Sequence, residues 1–159
     1  MRFRVGQGFD AHALVPGRKL VLAGVELGGT QGLLGHSDAD VLAHAAIDAL
    51  LGASALGDIG AMFPDTDERY RGADSMQLLA RAWERVRGEG WQLANIDCTI
   101  IAERPKIAPF VEAMRRSLAT TLALEASAVS IKAKTTERLG FTGRGEGIAA
   151  LVVVALVAK

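Results

Sequence analysis

A helix that has to be buried constrains this chain more than any other feature of its sequence. Residues 38–51 are mostly Val, Leu, Ile and Ala, and Gly52, a residue typical of helix ends, follows them. A helix that is apolar on most sides packs inside a protein. Its Asp40, His44 and Asp48 are spaced four residues apart and therefore form one polar stripe. That stripe must face a partner group, a metal ion or a wet cavity.

The carboxylates of this stripe also have purely structural interpretations. Ser37 is predicted to be the N-cap of the helix, with Asp40 three residues later in the place of a capping box. Asp40 can equally be no more than a helix cap. Asp48 lies in the middle of the helix, so it either belongs to a site or pairs with an arginine.

The same part of the chain concentrates side chains that bind metals. Residues 35–67 contain six aspartates and two of the three histidines, but no lysine or arginine. Just upstream, a predicted strand at residues 3–9 leads into Asp10 and His12, whose spacing places both side chains on one face of a strand. With His44 they would offer one oxygen and two nitrogens, which suits a catalytic zinc ion with an open fourth position. Hydrogen-bonded core histidines would show the same pattern, and spacing alone leaves both interpretations open.

The totals indicate one globular domain, residues 1–159, in a reducing compartment. Half of the residues are hydrophobic and the formal net charge is zero, so nothing predicts a nucleic-acid groove or a polybasic membrane contact. A single cysteine, Cys98, excludes an internal disulfide framework. The N-terminus does not resemble a signal peptide, and the apolar run at residues 148–158 is shorter than the roughly 20 residues of a membrane span. We therefore expect a cytoplasmic protein with neither a nucleic-acid nor a membrane partner.

Alternating strand and helix patterns predict an α/β fold. We expect an α/β sandwich with helices on one face of a mixed sheet of mainly four strands, in a ferredoxin-like βαβ arrangement. After the first strand, the predicted elements are strands at residues 19–27, 91–103, 129–134 and 148–157 and helices from Ser75 to about residue 88 and from Pro109 to about residue 122.

Two later segments have compositions that suit phosphate chemistry. Residues 140–147 contain four glycines and Arg144, and the backbone N–H groups of such a loop can cradle an anion. Glu137 follows two threonines, an oxygen-rich setting for Mg²⁺ or Mn²⁺ beside phosphate. A tight hairpin connection and an ordinary strand end explain the two segments equally well when each is taken alone.

Taken together, the motifs resemble one family, the 2-C-methyl-D-erythritol 2,4-cyclodiphosphate synthases of the non-mevalonate isoprenoid pathway. The matching segments follow the order of the family over nearly the whole chain, and the complete set of segments is far more specific than any single one. Its segments are residues 8–12, 36–40, His44, 57–60, 63–67, 105–106 and 135–147.

The resemblance implies a phosphorus–oxygen lyase of terpenoid biosynthesis. Its substrate would be 4-diphosphocytidyl-2-C-methyl-D-erythritol 2-phosphate, a nucleotide-linked sugar-alcohol phosphate. The 2-phosphate would attack the β-phosphorus, CMP would leave and a cyclic diphosphate would form. The family also implies a zinc ion, a second divalent cation (Mg²⁺ or Mn²⁺), and a homotrimer with active sites between subunits. An isoprenoid diphosphate could occupy an apolar cavity near the threefold axis.

The same resemblance assigns roles to individual residues. Zinc would bind Asp10, His12 and His44, and the second cation would bind Glu137, while His36 and Thr135 would orient the reacting groups and stabilise the transition state. The implied substrate-binding residues are Asp10, His12, His36, Ser37, Asp58, Ile59, Gly60, Phe63, Pro64, Asp65, Thr66, Asp67, Ala102, Glu103, Arg104, Pro105, Lys106, Ile107, Lys134, Thr135, Thr136, Glu137, Phe141 and Arg144.

Two departures and two rival functions accompany this assignment. Lys134 stands where some members of the family carry threonine, and Glu103 and Arg104 occupy a nucleotide loop where others have smaller or neutral residues. A zinc-dependent phosphoester hydrolase would use the same three ligands with a bound water. A non-catalytic trimer that binds isoprenoid phosphates would need the axial cavity and Arg144 but no zinc.

Overall fold

A five-stranded mixed sheet, covered by helices on one face, forms the frame of the computed structural model, which describes residues 2–159. The strands are β1 (Phe3–Pro16), β2 (Val21–Leu22), β3 (Val25–Glu26), β4 (Gln31–Leu33), β5 (Trp91–Ile101), β6 (Val129–Lys134) and β7 (Gly147–Ala158). The helices are α1 (Val41–Ser54), α2 (Ile59–Met62), α3 (Ser75–Gly88), α4 (Val111–Leu122) and α5 (Gly140–Gly143). Short 3₁₀ turns span Glu68–Tyr70, Ala108–Phe110 and Ala126–Ala128.

The strand order of the sheet is β4-β1-β7-β5-β6, and β2 and β3 pair separately as a small hairpin. β7 is antiparallel to both β1 and β5, whereas β5 and β6 are parallel and are connected through α4. The predicted α/β class and the packing of helices on one face are confirmed. The short β4 is a fifth strand that the sequence did not predict. Of the expected ferredoxin-like arrangement the structure has the β5–α4–β6 unit, while the last strand lies inside the sheet, between β1 and β5.

Several predicted boundaries were wrong, and hydrogen bonding explains the differences. Helix α1 begins at Val41 because Ala39 has a φ of 57°, and Asp40, not Ser37, caps it by accepting from the Ala43 N–H at 3.0 Å. Strand β1 continues to Pro16 because it pairs first with β7 and then with β4. The predicted loop at residues 140–147 contains the short helix α5.

Helix α1 lies directly on the backbone of β1. A Cβ atom added at Gly8 would lie 1.9 Å from the Ala45 carbonyl oxygen, and one at Gly6 would lie 2.0 Å from that of Ala49. Real Cβ atoms do not approach so closely, so both positions require glycine. Alternate residues of a strand share a face. The face of β1 that carries these glycines beneath α1 therefore continues with Asp10 and His12.

The opposite face of the sheet carries exposed apolar side chains on β1 and β7, whereas β5 and β6 place polar residues such as Asp97 and Lys132 there. On β1 the side chains of Phe3, Val5 and Phe9 are 69%, 59% and 56% exposed, and Val153 of β7 is 37% exposed. Exposed apolar side chains gathered on one face of a sheet favour contact with another protein surface. In the described part of the chain, no helix has the length and hydropathy needed to cross a membrane.

Asp40 is a fully buried carboxylate that ties the β2–β3 hairpin to the start of α1. It accepts from the N–H groups of Ala23 at 2.9 Å and Gly24 at 2.8 Å, in addition to that of Ala43. Burial raises the pKa of Asp40 to about 6, even though the three N–H donors lower it. The interpretation of Asp40 as a helix cap is confirmed.

We expect Gly8→Ala to destabilise the fold by about 3 kcal/mol or more, because the new methyl group would overlap the Ala45 carbonyl. Gly52→Ala is the matched control, since Gly52 lies within α1 and an added Cβ meets nothing within 4 Å. That control should gain up to about 1 kcal/mol through helix propensity. Urea unfolding at one protein concentration measures both changes, and equal stabilities of the two variants would contradict the proposed contact.

Replacing Asp40 with Asn should make the stability difference from wild type depend on pH. An Asp whose folded-state pKa is about 6 binds its proton more tightly in the folded chain than in the unfolded chain, where the pKa is about 3.9. This stabilisation is complete below the unfolded-state pKa and is lost as the pH rises through the folded-state pKa. The advantage of wild type over Asp40→Asn should therefore be larger near pH 4.5 than near pH 7.5. Denaturant titrations at both pH values test this, and an advantage that grew with pH would contradict it.

Candidate metal centre and substrate groove

Three side chains from β1 and α1 meet as the sequence predicted. Asp10 Oδ2 lies 2.9 Å from His12 Nε2 and 3.0 Å from His44 Nδ1, and the two ring nitrogens are 3.1 Å apart. All three side chains are partly buried, so the triangle of ligand atoms opens towards solvent. The polar stripe of α1 therefore meets β1 at a single residue, His44, which contacts the Asp10 and His12 pair.

This triangle fits a metal ion. Ligands about 2.0–2.2 Å from a tetrahedral zinc ion are separated by roughly 3.3 Å, close to the separations found here. One carboxylate oxygen and two imidazole nitrogens are also a suitable set, and three protein ligands leave the fourth position for a substrate atom or water.

The charges of the triangle favour a cation. Burial opposes ionisation of Asp10, but hydrogen bonds with His12 and His44 outweigh it and hold the pKa of Asp10 at about 2. Burial alone would lower the pKa of His12, while its hydrogen bond to Asp10 and the negative charge of that carboxylate raise it above the ordinary value. Asp10 is thus ionised over the physiological range, and a divalent ion would compensate its charge at the centre of the triangle.

A group of polar residues lies behind His44. Its Nε2 is 2.8 Å from Ser75 Oγ and 3.1 Å from Ser37 Oγ, and Ser75 in turn bonds to Asp38. Sequence reasoning did not assign Ser75 or Asp38 to the site. Ser75 was predicted only as the start of α3, and Asp74 caps that helix by accepting from the Met76 N–H.

His36 lies outside the triangle, in the loop before α1. Its Nε2 is 3.3 Å from the Asp67 carbonyl oxygen, and its own carbonyl accepts from the Gly72 N–H at 2.8 Å. These contacts join it to residues 63–72. That loop is packed by Phe63, which is buried and meets Tyr70 edge to face with ring centroids 5.4 Å apart.

The predicted sugar-alcohol pocket begins at α2. Asp58 caps this short helix by accepting from the Ala61 N–H at 2.8 Å, and Ile59 and Gly60 form its first turn. Asp48 accepts from the Ile59 N–H at 2.8 Å, so its partner is a backbone group and not the arginine that was one of the two alternatives for this residue. Residues 64–67 continue from α2 into the loop that contacts His36.

The predicted nucleotide residues line a groove of about 1180 Å³ at the ends of β5 and β6. Residues 102–107 and Lys134, Thr135 and Arg144 all lie along it, together with residues 28–31 from the other side. Its walls include five cationic side chains, which suit an anionic ligand. They are Arg104, Lys106, Lys134, Arg138 and Arg144.

The turn after β6 is strained. Glu137 and Arg138 have φ angles of 51° and 66°, a conformation that side-chain-bearing residues rarely adopt and that is common at functional sites. Thr135 Oγ1 donates to Glu137 Oε1 at 3.3 Å, while the Thr136 hydroxyl donates to the Leu139 carbonyl. Phe141 lies with residues 134–137 along a smaller adjacent cavity.

Sheet register places the triangle and the groove at the same end of the sheet. Asp10 pairs with Ala150, Ala150 with Ile100, and Ile100 with Ala133. Three interstrand steps of about 4.8 Å put Asp10 roughly 14 Å from Ala133, which lines the β6 end of the groove. The predicted residues thus form two clusters at one edge, not a single pocket.

Comparison with known proteins gives a consistent result. The chain matches the YgbB family over residues 3–157. It is 60% identical over 154 residues to the 2-C-methyl-D-erythritol 2,4-cyclodiphosphate synthase of Geobacillus kaustophilus, which covers 97% of this chain and 98% of that protein. The synthase of the same name from Bordetella bronchiseptica is 62% identical over 154 residues, with coverage of 97% and 95%.

Solved structures agree with the sequence comparison. A 2C-methyl-D-erythritol-2,4-cyclodiphosphate synthase bound to CDP superposes with a TM-score of 0.90 at 38% identity, covering 97% of this chain and 100% of that one. The CDP complex of IspF from Plasmodium falciparum has a TM-score of 0.87 at 31% identity, with coverage of 99% and 97%. The bifunctional IspDF of Campylobacter jejuni has a TM-score of 0.96 at 47% identity, and this chain spans 43% of that longer chain.

The triangle predicts one zinc ion per chain that depends on His44 and not on His36. His44→Ala removes one corner of the ligand set, so zinc retained after gel filtration should fall to near zero. His36→Ala is the matched control because His36 contacts the Asp67 carbonyl and none of the three ligands. Elemental analysis of the purified proteins checks this, and equal zinc loss in the two variants would contradict the assignment.

Proposed function

Because the chain belongs to the YgbB family, we propose that it converts 4-diphosphocytidyl-2-C-methyl-D-erythritol 2-phosphate into 2-C-methyl-D-erythritol 2,4-cyclodiphosphate and CMP. Such an enzyme is a phosphorus–oxygen lyase of isoprenoid biosynthesis. The observation that carries the proposal is the metal-ligand triangle of Asp10, His12 and His44 at the same end of the sheet as a cationic groove.

The reaction needs no nucleophile from the protein. An oxygen of the substrate's 2-phosphate forms a bond to the β-phosphorus, the bond from that phosphorus to the bridging oxygen breaks, and CMP leaves with that oxygen. The task of the chain is to hold both phosphates in line and to stabilise the charge that develops.

The two clusters divide this task. Asp10, His12 and His44 would hold zinc, and Glu137 would hold Mg²⁺ or Mn²⁺. When bound, the ions supply Lewis-acid polarisation of the phosphate oxygens and a template for the substrate. His36 and Thr135 are proposed to orient the reacting groups. In support, His36 lies in the loop that precedes α1, and the Thr135 hydroxyl is hydrogen-bonded to Glu137 at 3.3 Å.

The groove is proposed to bind the cytidine diphosphate part of the substrate. Residues 102–107 would read the base, and Lys106, Lys134 and Arg144 would neutralise phosphate charge. The Oε2 atom of Glu103 is buried with no hydrogen-bond partner among residues 2–159, so it needs a donor. Two structural relatives were solved with CDP, which supports a ligand of this kind. Lys134 adds a charge to the groove, so this departure from the family pattern is compatible with an anionic ligand.

The methylerythritol part is proposed to lie against Asp58, Gly60 and residues 63–67. Asp58 Oδ1 accepts the Ala61 N–H, which leaves its second oxygen available for a substrate hydroxyl. The link from Asp48 to the Ile59 N–H holds the beginning of α2 against α1 and therefore near His44.

We infer a homotrimer in which each active site combines the triangle of one subunit with the groove of its neighbour. The exposed apolar face of the sheet, with Phe3, Val5 and Phe9, supplies a surface for association. Within one chain Asp10 lies roughly 14 Å from the β6 end of the groove, which agrees with sites that are completed by a second subunit. An apolar cavity at the threefold axis could take an isoprenoid diphosphate.

Product analysis separates this function from a zinc hydrolase. Phosphorus NMR of the reaction should show a cyclic diphosphate with stoichiometric CMP, and a linear diphosphate would reject the proposal. His44→Ala should lower the rate of CMP release by about a hundredfold or more. Turnover of a simple phosphodiester would favour the hydrolase. Unchanged CMP release by His44→Ala would reject the role of zinc in both enzymes, whereas a wild-type protein that binds isoprenoid phosphates but releases no CMP would favour the binding trimer.

Mixing two inactive variants tests whether sites form between subunits. His44→Ala damages the triangle and Glu137→Gln damages the second cluster. If each site spans two subunits, trimers refolded from an equal mixture should recover about a quarter of wild-type activity, because some sites then combine two intact halves. Sites built within single chains would give no recovery. Each variant refolded alone is the control.

A further inference from the structure

His44 is held from behind by a buried hydrogen-bond chain that ends at Asp38. Its Nδ1 faces the triangle, and its Nε2 lies 2.8 Å from Ser75 Oγ. Ser75 is fully buried at the start of α3. Its hydroxyl donates to Asp38 Oδ1, and its backbone N–H donates to Asp38 Oδ2 at 3.1 Å. Both oxygens of Asp38 thus engage Ser75.

The number of protons in this hydrogen-bond chain decides which ring nitrogen of neutral His44 is protonated. A serine hydroxyl has one proton to donate, and a carboxylate only accepts. Because Ser75 gives its proton to Asp38, its oxygen can only accept from His44 Nε2. The proton of the neutral His44 ring then lies on Nε2, and Nδ1 keeps its lone pair for the metal position. In the metal-free chain that lone pair can accept from His12 Nε2, which lies 3.1 Å away.

Ser37 does not make this choice by itself. Its Oγ lies 3.1 Å from His44 Nε2 and 3.3 Å from Ser75 Oγ, and it accepts from the Ala39 N–H at 3.2 Å. No carboxylate takes its proton, so its hydroxyl can serve as donor or acceptor towards the ring. Ser37 therefore tolerates either tautomer, whereas Ser75 with Asp38 tolerates one.

We propose that Asp38 and Ser75 are positioning residues that hold His44 as the Nε2–H tautomer with Nδ1 aimed at the metal. The inference rests on the proposed zinc-binding role of His44. Hydrogen-bond partners of this type fix the orientation of ligating histidines, and their loss typically costs about 10–100-fold in metal affinity. Asp38 lies 37 residues before Ser75, so the first turn of α3 becomes part of the metal centre.

Nitrogen NMR of the metal-free, full-length protein labelled with ¹⁵N-histidine reads the tautomer directly. At a pH above the titration of the ring seen in the same spectra, wild-type His44 should show the Nε2–H pattern, with its signals assigned by their loss in His44→Gln. Asp38→Asn should introduce the Nδ1–H form, because an amide can donate to Ser75 and free its proton for the ring. Ser75→Ala should give a mixture, while Ser75→Thr and Ser37→Ala should retain the wild-type pattern.

Zinc affinity, measured by competition with a chelator, gives the second readout. Ser75→Ala and Asp38→Asn should bind zinc about 10–100-fold more weakly, and Ser75→Thr should restore the wild-type affinity. Wild-type tautomer and affinity in both Ser75→Ala and Asp38→Asn would overturn the inference. Absence of zinc binding by the wild type would instead overturn the proposed function, and the NMR pattern of the metal-free chain would still decide the roles of Asp38 and Ser75.

Discussion

The contact between the backbones of α1 and β1 is the constraint on which the rest of this structure depends. Gly6 and Gly8 leave no room for a side chain, because Cβ atoms there would lie about 2 Å from helix carbonyl oxygens, at 2.0 and 1.9 Å. The contact fixes the height of the helix above the strand. Asp10 follows Gly8 by two residues on the same face, and His44 directly precedes Ala45. The close packing that excludes side chains at Gly6 and Gly8 therefore also brings the proposed metal ligands Asp10 and His44 together.

The polar residues of α1 show how a buried helix can carry charge. Asp40 accepts three backbone N–H groups, His44 is bonded at both ring nitrogens, and Asp48 accepts the first N–H of α2. Buried polar groups are tolerated when their hydrogen bonds are satisfied. Each residue also contacts a different part of the structure: the β2–β3 hairpin, the triangle, and the α2 segment that is proposed to bind the sugar alcohol. Asp40 and Asp48 thus both have backbone hydrogen-bond partners within the chain.

Local patterns predicted those features that depend on neighbouring residues. Strand β6 was predicted at its observed bounds, and the i, i+2 pair of Asp10 and His12 does meet the α1 stripe. The extension of β1 was missed because its pairing with β4 and β7 is a long-range property. The cap of α1 was misplaced because nothing in the sequence shows that Ala39 adopts a left-handed conformation.

The composition of the site was harder to predict than its metal ligands. The bond between Asp38 and Ser75 spans 37 residues, and no periodicity joins them. The alignment of Asp10 with Ala133 depends on the register of four strands, so only resemblance to a family connected the triangle with the groove. Residue spacing predicts which side chains lie on the same face of a strand or helix. The order of the strands in the sheet, which spacing does not reveal, determines which of those side chains come together in one site.

Anomalous diffraction at the zinc absorption edge tests the central claim most directly, since it locates the ion in crystals of the full chain. The proposed centre predicts one peak per chain, about 2.0–2.2 Å from Asp10 Oδ2, His12 Nε2 and His44 Nδ1. A chain that carries zinc at some other set of residues, with no peak inside this triangle, would contradict the account.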